Sequence, residues 1–293
     1  TMSAARADAV ADFYAGKSLT FFIGSATGGT FDTAARVVAR FLPKYVPGNP
    51  SVTPQNMPGA SHVRATDYLA NIAPRDGTSM AFVQPSVILN KVTSPSAKYD
   101  PAAMTWIGRI APVRNVGISA TASGIHSVEA TKAQELILGA AGSTGPAAMV
   151  PWALNRMIGA KMRLVRGYTD DTATFLAFER GEVQGMGSIN HASLARHPGL
   201  LGSGKVKIIY SISSERISVA PDAPSIVELA QKPDDKAVME LIASIPRIGI
   251  TIMGSPGVPP ERAAALRKAA WEMFHDPAFV AEMKKVELEV DPL

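Results

Sequence analysis

The strongest constraint in this sequence is a unit used twice: a short apolar run, a glycine-rich turn, and a stretch of helical period. The first copy is Leu19-Thr-Phe-Phe-Ile23, then Gly24-Ser-Ala-Thr-Gly-Gly-Thr-Phe-Asp32, then apolar positions Phe31, Ala34, Ala35, Val38, Phe41 and Leu42. The run reads as a buried strand, and the i, i+3, i+4, i+7 rhythm reads as one face of a helix. The second copy is Leu136-Ile-Leu-Gly-Ala-Ala141, the turn Gly142-Ser-Thr-Gly-Pro146, and a helix from Ala147 to Ile158 stopped at Gly159. Further strands are expected at Ser51–Gln55, Ser79–Val83, Met162–Val165, Val183–Ile189, Lys207–Ile212 and Leu288–Val290. Helices are expected over Ala60–Ile72, from Thr169, over Glu261–Phe274 and from Pro277. This alternation predicts an α/β chain with parallel sheet throughout. Two copies about one domain apart predict two similar lobes, residues 1–115 with 248–293 and residues 116–247.

A chain of 293 residues has room for two such lobes, and 46% hydrophobic against 18% charged residues allows a large core in each. The net charge of +4 is spread along the chain and only 6% of residues are aromatic. A nucleic-acid surface needs a basic stripe, often interleaved with stacking rings, and this chain has neither. The absence of cysteine excludes thiolate nucleophiles, thiolate metal sites and disulfides together. No apolar run reaches the 18 residues that a membrane span requires.

The turn Gly24–Asp32 is where chemistry is expected. A strand delivers the chain to a helix start, where the first backbone N–H groups have no intrahelical acceptor and carry partial positive charge. Such an end binds anions, and Gly28 and Gly29 let a ligand oxygen approach the backbone. Thr30 is placed to cap the helix or to offer its hydroxyl. One turn of this kind is more often plain chain reversal, and Gly142-Ser-Thr-Gly145 taken alone is more often an N-cap. One turn in each lobe is a stronger sign, because two helix ends facing one cleft would hold a carboxylate without any arginine. Asp32 is placed either to shape the turn or to accept a hydrogen bond from a ligand. Asp170 and Asp171 fall in the first turn of a helix, and Asp171 is explained by the helix dipole. Tyr168 reads as a cleft hydroxyl or as a half-buried core ring.

Signals of catalysis point elsewhere. The five histidines show no i, i+4 spacing, so no zinc site is indicated. Gly199-Leu-Leu-Gly-Ser-Gly-Lys205 imitates a phosphate loop, but Val206 stands where a magnesium-binding hydroxyl belongs and no strand leads into it. No cofactor and no metal are expected.

In order and spacing the residues resemble the solute receptors of tripartite tricarboxylate transporters, the TctC or Bug family, over nearly the whole chain. The segments that carry the resemblance are Thr27-Gly28-Gly29-Thr30-Phe31-Asp32, Asn56-Met-Pro-Gly-Ala60, Pro74-Arg-Asp-Gly-Thr78, Trp106-Ile107-Gly108 and Ala141-Gly-Ser-Thr-Gly145. Gly181-Glu-Val-Gln-Gly185, Pro256-Gly-Val-Pro-Pro-Glu261 and Glu289-Val-Asp-Pro292 follow in the same order. Thr27 replaces the family's usual proline, and Ala147-Ala148-Met149 replaces a more polar stretch.

The resemblance implies a type II periplasmic-binding-protein (Venus flytrap) fold and a periplasmic receptor, exported behind a leader that is then removed. It implies no catalysis, a monomer, and a membrane permease as partner. The ligand would be an organic carboxylate: a di- or tricarboxylate, an aromatic acid or an amino acid. The loops carried over are Ser25, Ala26, Thr27, Gly28, Gly29 and Thr30, and Gly142, Ser143, Thr144 and Gly145. Gln84 and Ser86 would line the cleft from the first lobe, and Tyr168, Ser188 and Asn190 from the second. The alternatives are a receptor that feeds a sensor kinase and an acyl or phosphoryl transferase using a glycine turn as its anion hole.

Overall fold

The computed structural model describes residues 9–60, 62–93, 96–140, 145–169, 171–195, 197–286 and 288–293, apart from the side chains of residues 30, 86, 89, 92, 93 and 198. In chain order the main elements begin with β1 Ser18–Ile23, α1 Thr30–Phe41, β2 Ser51–Asn56, α2 Val63–Asn71, β3 Ser79–Val83, α3 Ser86–Thr93 and β4 Thr105–Ala111. There follow β5 Asn115–Ala120, β6 Leu136–Ala140, α4 Pro146–Ile158, β7 Met162–Arg166, α5 Asp171–Glu179, β8 Gly185–Asn190 and β9 Val206–Ser211. The chain closes with α6 Pro233–Ile248, β10 Ile250–Gly254, α7 Pro260–Phe274 and α8 Pro277–Lys285. Residues 9–14 are also helical, and Tyr14 from that turn is buried with its hydroxyl on the Gly77 carbonyl at 3.2 Å.

The chain divides into two compact units, Thr1–Pro112 with Gly249–Leu293, and Val113–Ile248. Each holds a five-stranded sheet, ordered β2-β1-β3-β10-β4 in unit 1 and β7-β6-β8-β5-β9 in unit 2. The orders correspond strand for strand, so β1 and β6, which lead into the two glycine turns, hold the same place.

The sheets are mixed, against the expectation of parallel strands throughout. β1 runs parallel to β2 and β3, and β6 parallel to β7 and β8. β10 is antiparallel to both β3 and β4, and β5 to both β8 and β9. The reason is connectivity. β5 and β10 are the first strands after the chain crosses from one unit to the other, and they enter at the carboxyl edge, opposite in direction to the β–α–β crossovers around them.

Alternation sets the layers. In β6, Leu136 and Leu138 join a cluster with Val150, Leu154, Tyr210 and Ile242, while Ile137 packs on the other face with Val116, Phe178 and Met186. Unit 1 has its own cluster, including Phe22, Leu69, Val83, Tyr99 and Met253. Each such side chain, fully buried, contributes about 1.5–3 kcal/mol. α8 docks on α1 through Phe279, whose ring lies 5.6 Å from Phe41 and 6.0 Å from Phe274. Two smaller expectations shift. Residues 288–290 form no strand; instead Asp291 and Leu293 pair with Ile110 and Arg109 along the edge of β4. Gly199–Lys205 contains one helical turn, Pro198–Leu201, ahead of β9.

Candidate functional site

β1 ends at Ile23 and the chain turns through Gly24–Gly29 before α1 begins. The N-cap is Gly29 in an extended conformation, φ −73° and ψ 170°, with no side-chain cap. Thr30 is therefore the first helical residue and not the cap that its hydroxyl suggested. Thr33 takes up the local bonding instead, its N–H and hydroxyl both reaching the Gly29 carbonyl at 2.9 Å. By position, the N–H groups of Thr30, Phe31 and Asp32 have no acceptor within the helix. Gly28 sits at φ +89°, where a side chain is strained; the extended Gly29 backbone is one that any residue adopts.

Asp32 resolves as a strut of the turn. It is 2% exposed, and its carboxylate accepts the Gly28 N–H at 2.8 Å, the Asn56 amide at 2.8 Å and Arg36 Nε at 3.0 and 3.1 Å. Burial works against its charge, but the hydrogen bonds from Arg36, Gly28 and Asn56 outweigh it and hold the carboxyl below the usual aspartate range. Gly28's N–H is thus consumed within the turn, and the N–H groups left without an intrahelical acceptor are those of the helix start itself.

Asn56, at the end of β2, carries a role that sequence reasoning passed over. Its amide donates to the Ser25 carbonyl at 2.9 Å as well as to Asp32, and its Oδ1 accepts from Arg36 at 2.9 Å. Thr27, exposed, reaches the same oxygen at 3.4 Å. The signal was present in Asn56-Met-Pro-Gly-Ala60, but it served only as a landmark. Arg36 and Asp32 neutralise each other, so the positive character left at this turn is that of backbone N–H and the end of the helix dipole.

The register of β1 against β3, Ile23 opposite Phe82, brings Gln84 to the same carboxyl edge as Ser25 and Ala26. Gln84 is half-buried and its carbonyl accepts from Val87 at 3.3 Å; Ser86 is the first residue of α3, and its side chain lies outside the described set. His62, which was not a candidate, also packs here. It is buried, left-handed at φ +71°, and stacked against Gly24, where an added Cβ would lie 2.3 Å from its Nδ1.

In unit 2, Gly142, Ser143 and Thr144 lie outside the described residues, as does Asp170. Gly145 is described, and it repeats the arrangement of Gly29: an extended N-cap, φ −86° and ψ 171°, with no side-chain cap. Pro146 follows as the first residue of α4, where a missing N–H costs nothing. Tyr168 is half-buried and packs against the cluster of Val116, Phe178 and Met186, so its ring belongs to the core. Ser188 is buried in β8, and Asn190 ends that strand with Oδ1 accepting the Ala192 N–H at 2.9 Å. Asp171 opens α5, exposed, as a residue favoured by the helix dipole does. Among the described residues, no group of three histidines or carboxylates could hold a metal ion, and no helix is long and apolar enough to cross a membrane.

No protein-family model matches the chain, and no curated protein matches it in sequence. Solved structures do. The periplasmic binding protein BugD aligns with a TM-score of 0.73 at 20% identity over 94% of this chain and 88% of BugD. Rpa4515 of R. palustris, solved with adipate, gives 0.72 at 20% identity over 94% and 88%. MatC of Rhodopseudomonas palustris, solved with bound malate, gives 0.68 at 19% identity over 94% and 90%. The two mixed α/β units have the fold of the periplasmic binding proteins of the Bug and TctC type.

Proposed function

We propose that this chain is an extracytoplasmic solute receptor of the TctC or Bug kind, which holds a small organic carboxylate and delivers it to a tripartite tricarboxylate transporter permease. The observation that carries the reading is the repeated helix start: Gly29 and Gly145 have the same extended cap conformation, follow equivalent strands, and provide no side chain to cap the helix behind them. In this reading the ligand-contacting residues of unit 1 are Ser25, Ala26, Thr27, Gly28, Gly29 and Thr30, with Asp32, Gln84 and Ser86 beside them. Those of unit 2 are Gly142, Ser143, Thr144 and Gly145, with Tyr168 and, on β8, Ser188 and Asn190. The adipate and malate held by Rpa4515 and MatC fit the same chemistry and support a ligand with one or two carboxylates. The protein acts in the periplasm, as a monomer and without catalysis.

Isothermal titration against a panel of mono-, di- and tricarboxylates tests this. Stoichiometric binding without consumption of the acid is expected, and turnover would establish an enzyme instead. Gly29→Leu fills the space in front of α1 without demanding a forbidden backbone. It should abolish binding and leave the unfolding transition in place; unchanged affinity would remove the site from this turn.

A further inference from the structure

The two sides of α4, the helix that starts behind Gly145, are used differently. Val150, Ala153 and Leu154 enter the core of unit 2. Asn155 holds the start of β7, donating to the Met162 carbonyl at 2.8 Å and accepting its N–H at 2.9 Å. Trp152 and Arg156 lie on the outer side, four residues apart in sequence and so neighbours on the helix surface. Trp152 is 59% exposed, and Arg156 is exposed beside it. Neither has a hydrogen bond, ion pair or ring contact among the described residues. Counted from the two capping glycines, unit 1 has Arg36 and Arg40 at these places. There both are engaged within the unit, Arg36 with Asp32 and Asn56, and Arg40 with Glu282 of α8 at 2.8 Å. A lone apolar side chain on a surface is ordinary, but a tryptophan with an unpaired arginine at its side is the kind of anchor that interfaces concentrate.

Charge and area decide what covers this pair. The exposed part of Trp152 is roughly 150 Å², against about 800 Å² per partner in a stable complex, so the contact is the anchor of a transient visitor. Arg156 is the only charged residue of α4. Two copies meeting face to face on this helix would therefore set Arg156 against Arg156, with no carboxylate of the helix to answer either. An anionic lipid surface is held by clusters of about four to eight cations, and this helix supplies one. We propose that the outer face of α4 docks a protein partner that offers a carboxylate to Arg156 and an apolar recess to Trp152. The identity of that partner rests on the receptor reading above: it is the permease that takes the ligand. The helix it grips is the one that opens at the unit 2 turn, and a contact this small is readily reversed after each delivery.

The test is uptake of a labelled acid into proteoliposomes holding the tripartite permease, with the full chain added outside, beside titration of the same acid against the receptor alone. Trp152→Ala and Arg156→Glu should each raise the receptor concentration for half-maximal uptake at least about tenfold, while acid affinity and Tm keep their wild-type values. Arg156→Lys, which keeps the charge, should recover most of what Arg156→Glu loses. Added salt should weaken uptake with the wild type more than with Arg156→Ala. Unchanged uptake in both variants, with acid binding intact, overturns the docking face and leaves the receptor reading standing. Self-association of the wild type in sedimentation, abolished by Trp152→Ala, would give the face to a second copy and overturn the proposal. Flotation with permease-free vesicles of anionic phospholipid, abolished by Arg156→Glu, would give it to lipid and overturn the proposal equally. If no acid binds in the titration, the receptor reading falls and the docking face falls with it.

Discussion

Asp32→Asn tests most directly how the unit 1 turn is held. The substitution keeps the volume but exchanges one acceptor oxygen for an NH2 group. Whichever way the amide turns, that group faces donors, because Gly28 N–H lies on Oδ2 and the Asn56 amide on Oδ1, with Arg36 bridging both. One buried charge-assisted bond is lost outright, about 1.5–3 kcal/mol, and a donor is left facing a donor. Arg36 has 45% of its side chain in solvent and recovers most of its share from water, so its ion pair adds at most about 1 kcal/mol. The loss is therefore about 2–4 kcal/mol, which in a unit of this size lowers Tm by roughly 5–15 °C. Thermal unfolding followed by circular dichroism, paired with titration of an acid that binds the wild type, reads both effects. Tm and affinity should fall together, and Asp32→Ala should behave alike. Lost binding at unchanged Tm would mean that Asp32 touches the ligand directly; no change in either quantity would refute the strut.

Three further outcomes follow from packing and charge. Burial pushes His62 from 6.5 down to about 3, so between those values the unfolded chain binds more protons and stability falls as the pH falls. Asp32, held below the usual range, adds a loss only below about 3.9. Melting at a series of pH values should show a steeper decline between about 6.5 and 4 for the wild type than for His62→Asn, and parallel curves would refute the assignment. Phe279→Ala, which removes a fully buried ring wedged between Phe41 and Phe274, should cost about 3–5 kcal/mol in urea unfolding of unit 1. Gly117→Ala would set a Cβ 2.2 Å from the Tyr210 ring, whose hydroxyl is tied to the Gly187 carbonyl at 2.7 Å. The ring cannot swing away freely, so a loss of about 1–3 kcal/mol in unit 2 is expected, with a retained Tm as the contrary result.

What was legible in the residues was burial and local chain reversal. Leu19–Ile23, Ser79–Val83 and the face running from Phe31 to Leu42 were readable because apolar period reports which side is covered. Strand direction was not, since Ile250–Gly254 is buried on every residue whether it runs up or down its sheet. α6 went unread because Pro233 opens it and Pro246 sits in its last turn, and a proline within a helical pattern ordinarily signals its end. The Thr30 hydroxyl suggested a cap by residue type, whereas the extended backbone of Gly29 moved the helix start one residue earlier. The glycine turns themselves stood out. Their supports did not: Asn56 reaches Ser25 and Asp32 across 31 and 24 residues of chain, and His62 meets Gly24 across a gap no local pattern spans.

The interior position of β10 fixes the order in which the molecule can be assembled. Residues 250–254 lie between β3 and β4, yet they leave the ribosome after the whole of the continuous segment Val113–Ile248. Until they arrive, β4 has no neighbour on its inner side and the flanking unit is split into β2-β1-β3 and a stray strand. The middle of the chain matures first, and the outer unit waits for its last fifty residues, roughly, with unpaired edges exposed. A nascent chain released before residue 250 would therefore carry one finished unit tethered to an adhesive fragment.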